Sequence, residues 1–487
     1  MASRKPSRKS FNCHVATAHS TTVAGRSLLA VAAVVYGLLS IVNHYCFHTF
    51  GLDLGLYTHA LWDYAHLRFC DGSFYLEMPR NLLADHFDLY LVVLSPLVWV
   101  FGEYTLLVVQ IVAILLGGVG VYKLVGCYGG GRWLPLFAMA TFFSFFGIWQ
   151  SLAFDYHSNV VACMLVPWLM YALRRGRYGF FALLTIMVCL AKETLPLWMV
   201  FILLALMWDY RRNATALWWL SGATGFCLLY LLAVTQFIMP ALSDTPSPGF
   251  WRYGYMGSDF GEVAVWLLLH PIEAVRNFFV DFTPDGADPE LKLEFYCCLL
   301  LSCGLLCLAK PNWLLMLLPL VGQKMLACDV AFWGVAYHYN VECAVVVVPA
   351  AFIFLASLKS VSWRYIAAVI VLLLTLLTTI YTTAHPRTWI RRENVRLIDR
   401  RHYGNEMFSC DDARHLIGEL PADASVCASS CFTPHLALRD HIYLYPEGLA
   451  YQPEYLILTD NTVPDSDQWH AIDSVDGIIM YQRIEMQ

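Results

Sequence analysis

Between residues 27 and 384 the chain is a succession of apolar runs, broken by short polar islands and small clusters of arginine and lysine. A helix needs about 20 predominantly apolar residues to cross the hydrocarbon of a bilayer. Inside that hydrocarbon only helices and closed barrels satisfy every backbone N–H and C=O. Runs of this length select helices. Composition agrees: 59% of the 487 residues are hydrophobic and 14% charged, against about 45–50% apolar and about 25% charged in soluble domains. That excludes a soluble enzyme. The fold class expected is mainly α: a polytopic transmembrane bundle of about eleven spans, with a small α/β C-terminal domain.

The apolar segments are 27–47, 88–101, 104–125, 132–150, 158–173, 178–191, 194–208, 214–239, 263–281, 293–309, 312–327, 341–357 and 363–383. Basic residues orient them. Residues 1–26 carry Arg4, Lys5, Arg8, Lys9 and Arg26 and no acid, and read as a cytoplasmic N-terminus. The run that follows is long for a signal-peptide core and reads as a retained first helix. Lys123 with Arg132, the cluster Arg174, Arg175 and Arg177, then Arg211 with Arg212, Lys310, and Lys359 with Arg364 all fall inside if 88–101 stays on the outer side. The segment 263–281 holds His270, Glu273 and Arg276 and suits a helix lying in the interface. The expected domains are the N-terminus 1–26, a membrane domain 27–384 with outer loops at about 48–103 and 240–292, and an extracytoplasmic domain 385–487. The basic clusters report topology and imply no nucleic acid; the lipid bilayer is the partner they imply.

From residue 385 charge rises and the apolar runs shorten. Residues 411–420 read as a helix, and 424–429, 441–444, Tyr455–Leu458 and 477–483 as strands. Cys410, Cys427 and Cys431 lie here; an oxidising compartment permits one pair to bridge, and free thiols fit equally well.

Polar islands carry the chemistry. They are Asp53, followed by His59 and Asp63; Asp85 and His86; Asp155 and His157; Lys192 and Glu193; and Tyr337, His338 and Tyr339. Each alone reads as a solvated helix end or a cap. In the topology above all five emerge on the outer side, and ionisable groups beside apolar helices are costly to keep. Their convergence predicts a polar cavity there. Asp53 suits a general base, and Lys192 or a histidine suits a phosphate leaving group. Asp53, Asp155 and His157 are candidate ligands for a divalent cation, Mg or Mn. There is no HExxH and no CxxC pair. His59 and His66 share a helix face and read as packing residues.

The run Leu52, Asp53, Leu54, Gly55, Leu56 and Tyr57, with Ala60 and Trp62, then Asp85, His86 and Phe87, then Phe154 to His157, then Lys192 and Glu193, resembles the bacterial membrane-protein family DUF2079. That family is similar to the GT-C superfamily of polyprenyl-phosphate-dependent glycosyltransferases. The resemblance covers residues 30–460 and implies a bacterial inner-membrane protein with a catalytic acid in the first outer loop, where Asp53 stands. It implies a helix in that loop as well, which 88–101 supplies. The sequence departs from the pattern in two places: Leu54 follows Asp53 where GT-C sites often pair two acids, and Thr194 follows Lys192 and Glu193 where the family usually has Asp.

The resemblance implies an inverting transferase that moves a sugar from a polyprenyl-phosphate donor to a glycan, lipid or protein acceptor. Asp53 is the expected base. Asp85, His86, Asp155, His157, Lys192, Glu193, Tyr337 and His338 are the expected substrate-binding residues. The alternatives are a transporter or flippase of a lipid-linked or anionic substrate, which calls for charges at mid-membrane depth, and a scaffold presenting the C-terminal domain, which needs no acid cluster.

Overall fold

The computed structural model describes residues 19–69, 81–243, 251–282, 290–385, 397–459 and 468–484. Arg4, Lys5, Arg8 and Lys9 of the basic N-terminus lie outside these residues, as do 70–80, 244–250 and 283–289 of the two expected outer loops. The protein is mainly helical, and every apolar run of the sequence falls on helix. Ser20–Tyr45, Leu89–Gly126, Leu134–Ala153, Ala214–Leu242 and Val361–Ala384 are long and apolar enough to cross a membrane. Shorter helices fill the space between them, among them Ser158–Arg174, Tyr178–Leu190, Leu195–Asp209 and Val341–Ser357.

Burial sorts these helices. Val341–Ser357 is apolar all round, and Val345 to Val348, Ala350, Ala351 and Phe352 have no exposed surface, so this helix is the axis of the bundle. Ala214–Leu242 is equally apolar, yet only 11% of its most apolar window is buried. A helix that is apolar but uncovered presents its face to lipid.

The 38-residue stretch Leu89–Gly126 is too long for one straight crossing at 1.5 Å per residue. It bends at Gly102, whose φ of 57° and ψ of −140° no side-chain-bearing residue adopts readily. The part before the bend lies beside Leu56–Ala65, with Trp99 5.6 Å from Trp62, while Val92, Val93 and Val100 stay exposed. The first polar loop thus carries two helices that pack on each other.

The C-terminal domain is a five-stranded sheet, order β2-β1-β3-β5-β4. Its strands are β1 (Val426–Ala428), β2 (Ile442–Leu444), β3 (Tyr455–Leu458), β4 (Trp469–Val475) and β5 (Ile478–Arg483). β1 runs parallel to β2 and β3, and β5 antiparallel to β3 and β4. The helix expected at 411–420 spans Cys410–Gly418. β4 is an addition to the four expected strands. Between Trp469 and Val475 it is exposed, so it has no apolar face to read in the sequence. Cys410, Cys427 and Cys431 are free thiols. Cys410 hydrogen-bonds instead to Cys46, just past the first helix.

The domain sits on the end of the bundle that carries the Asp53 loop. Phe47, Leu54, Leu56 and Leu61 share one apolar core with Phe408, Phe432, Leu436, Leu444 and Ile457.

Candidate active site

The chain leaves the first helix at Tyr45 and turns through Gly51–Gly55. The Gly51 N–H donates to Ser430 Oγ at 3.0 Å. A Cβ on Gly51 would lie 2.4 Å from Thr433 Oγ1, so the turn and the C-terminal domain approach too closely for any other residue. On the opposite flank the Phe50 N–H donates to Asp155 Oδ2 at 3.3 Å. Held between these anchors, Asp53 takes φ 68° and ψ −91°. Such backbone costs about 1–3 kcal/mol and persists where the surroundings impose it.

Asp53 Oδ1 lies 3.3 Å from His157 Nε2. The other nitrogen of that ring, Nδ1, lies 3.3 Å from the Asp155 carbonyl oxygen, which can only accept. That places the proton on Nδ1 and leaves Nε2 turned to Asp53. His157 is fixed further by its own N–H, which donates to Gln110 Oε1 at 3.0 Å. The His338 ring stacks on it at 3.4 Å and 21°. Burial and the neighbouring His157 hold His338 well below the usual histidine range, so it stays neutral. Phe154 stacks on both rings, at 5.4 and 5.7 Å, and Tyr337 meets Phe154 edge-on at 5.1 Å.

A second group adjoins the first. His86 Nδ1 lies 3.4 Å from Glu193 Oε1, and His86 Nε2 lies 3.8 Å from Asp85 Oδ2. Lys192 Nζ is 3.5 Å from His86 Nε2, and the Phe87 N–H donates to Glu193 Oε2 at 3.1 Å. Burial and Lys192 oppose a charge on His86, but Asp85 and Glu193 prevail and raise it above its ordinary value. Burial works against an ionised Glu193 as well; His86 and Lys192 outweigh it and bring Glu193 down to about 2. The two groups share a field. Burial lifts the Tyr57 hydroxyl well above its usual range, and the charges of Asp53, Asp85, Asp88 and Glu193 all push it further.

The structure therefore brings Asp53, Asp85, His86, Asp155, His157, Lys192, Glu193, Tyr337 and His338 to one end of the bundle. Asp155 plays a supporting part, anchoring the loop of Asp53 rather than facing outward. The trio Asp53, Asp155 and His157 is not among the groups of three ligand-type side chains that converge within 4.8 Å among the described residues. His59 packs as expected, its Nδ1 3.2 Å from the Ala437 carbonyl oxygen.

Asp88, Asn159 and Glu342 join this end of the bundle in addition to the residues expected from the sequence. Burial pushes Asp88 up to about 7 despite hydrogen bonds from Ser158 and the Tyr90 N–H. Asn159 Nδ2 donates to Glu342 Oε1 at 2.5 Å, joining the polar start of one helix to that of the central helix. An acid inside the apolar run 341–357 was the available signal.

The family model described as "Predicted membrane protein (DUF2079)" matches residues 43–476. The chain belongs to the DUF2079 family. Two solved structures of ArnT from Cupriavidus metallidurans are similar to this DUF2079 protein. The undecaprenyl phosphate-bound one has a TM-score of 0.53 at 13% identity, covering 96% of this chain and 99% of that one. The apo one has a TM-score of 0.52 at 13% identity, covering 96% and 98%. At that identity the likeness is one of fold. No curated protein matches.

Proposed function

We propose that this DUF2079 protein is an inverting glycosyltransferase of the GT-C type. It takes a sugar from a polyprenyl phosphate to an acceptor hydroxyl at the domain-bearing end, which faces away from the cytoplasm of a bacterial inner membrane. The observation that carries the reading is Asp53, held at positive φ with Oδ1 3.3 Å from His157 Nε2, beside the Lys192, His86 and Glu193 group. The lipid in one ArnT structure is a polyprenyl phosphate, which supports this donor class.

Asp53 accepts the proton of the acceptor hydroxyl as its oxygen attacks the anomeric carbon. The bond from that carbon to the phosphate oxygen breaks on the opposite face, so the configuration inverts in one displacement. Lys192 and His86 balance the charge that grows on the departing phosphate. Glu193 and Asp85 favour the charged form of His86, and His157 with its stacked partner His338 holds Asp53 in place. Tyr337 borders the sugar side. No step is routed through a metal ion.

The test uses full-length protein in liposomes, a polyprenyl-phosphate sugar and an acceptor. Wild type is expected to form the glycosidic product and Asp53→Asn to lose it. Full activity in Asp53→Asn overturns the assignment of the base. Movement of lipid or solute without any covalent product favours the transporter.

A further inference from the structure

A second cluster of ligand-type side chains lies outside that site, where three distant segments meet. His44 is in the last turn of the first helix, Glu103 in the short turn Gly102–Tyr104, and His435 in the single helical turn Thr433–Leu436 of the C-terminal domain. One ligand atom from each lies within 4.8 Å of the others, the sole such trio of histidine, cysteine and acid groups among the described residues. Glu103 Oε1 is the pivot: His44 Nε2 is 3.7 Å from it and His435 Nδ1 is 3.4 Å. The two imidazole rings lie parallel, 4° apart in tilt, with centroids 4.1 Å apart.

The hydrogen bonding of this cluster is incomplete. The His44 side chain is fully buried. Its Nδ1 is satisfied by Thr49 Oγ1 at 2.7 Å, but its Nε2 has no hydrogen-bond partner. At 3.7 Å the Glu103 oxygen is too far to be one. A buried polar atom left in this state is costly. A cation between the three groups removes the cost. Tetrahedral zinc with bonds of about 2.0–2.1 Å separates its ligand atoms by about 3.3–3.4 Å. The observed 3.4 and 3.7 Å are close to that spacing, and one of the two stacked rings has to turn out of the parallel arrangement for both nitrogens to point at one ion. Two neutral imidazoles and one carboxylate are a donor set for a first-row divalent ion. The Thr49 hydroxyl supplies the outer contact that orients a ligating histidine. The Arg414 guanidinium bears on the same region but is bound to the Tyr45 carbonyl and to Asp411 at 2.8 Å.

We propose that His44 Nε2, His435 Nδ1 and Glu103 Oε1 bind one zinc-class divalent cation, its fourth position open to water, which clamps the C-terminal domain to the first membrane helix. The site stands apart from sugar transfer and does not depend on that reading.

The experiment measures metal content of the full chain in detergent, purified without chelator and loaded with zinc. Wild type is expected to retain one zinc per chain after desalting. Glu103→Gln and His435→Gln are expected to lose most of it while Asp53→Asn keeps it. Cobalt in place of zinc should give the visible bands of a four-coordinate site in wild type and not in Glu103→Gln. EDTA should lower the unfolding midpoint of wild type and leave that of His435→Gln unmoved. Glu103→Gln is nearly isosteric, so it serves if His435→Gln fails to fold. Wild type without metal after loading overturns the site, as does full zinc retention in both ligand variants. Either result leaves the Asp53 assignment intact.

Discussion

The two halves of the candidate site are built on opposite principles. Around Asp53 there is one carboxylate among stacked rings: His157, His338 and Phe154, with His338 kept neutral by burial. Around His86 the charges are dense: Glu193 lies at one nitrogen, and Asp85 and the like-charged Lys192 lie near the other. A base works best where its close neighbours orient it, as His157 orients Asp53. A phosphate is held best where fixed charges already compensate one another and need no reorganisation. On the proposed reading, proton transfer belongs to the first half and anion binding to the second.

The largest effect expected from this division is at Asp53. Asp53→Asn should lower the turnover rate by about 10²–10⁴-fold while binding of polyprenyl phosphate, followed by tryptophan fluorescence, stays close to wild type. Equal loss of both would dissolve the division. Next comes Lys192→Ala, which should cost about 10²–10³-fold in transfer and weaken the lipid phosphate as well. His338→Phe keeps a flat ring against His157, and less than about a tenfold loss is expected; a collapse as deep as Asp53→Asn would make His338 a chemical participant.

Two smaller effects follow from charge. His86 is raised above its ordinary value, so its contribution to stability is fully present below about pH 6.5 and is lost as the pH rises through the raised value. Thermal midpoints of wild type and His86→Gln should converge on going alkaline; a gap that widens would refute the pairing. Asp88 is raised to about 7 by burial, so its protonated form is the stabilised one. That stabilisation is complete below about pH 3.8 and lost as the pH rises through 7. Asp88→Asn should therefore melt about 1–3 °C above wild type at pH 8, with the gap closing in acid.

Much of this was legible beforehand, for a physical reason. Lipid permits few structures, so the apolar runs from 27–47 to 363–383 could hardly be anything but helix. Charged groups near such helices are costly, so Asp53, Asp85 with His86, Asp155 with His157 and Lys192 with Glu193 stood out against their background. Single polar residues beside a helix start did not: Asp88 looks like an ordinary cap in one dimension, and Glu342 is a lone acid in the first turn of an apolar run. The supporting role of Asp155 was hidden too, because its partner is the N–H of Phe50, about a hundred residues away. β4 escaped as an exposed edge strand, although Asp476 and Gly477 between β4 and β5 are a hairpin dipeptide and were the sign to follow.

The contact between Gly51 and Thr433 has a consequence for how this protein can be recombined. The turn bearing Asp53 rests on Ser430 and Thr433, and the segment after it reaches Ala437 and Asp440 through His59 and Trp62 of the helix and Arg68 just past its end. Residues 50–68 and 430–440 are thus a single module split across the chain. A chimera that exchanges C-terminal domains between relatives should fail when the cut separates these segments. It should work when both are carried over together, and natural variation in one should travel with variation in the other.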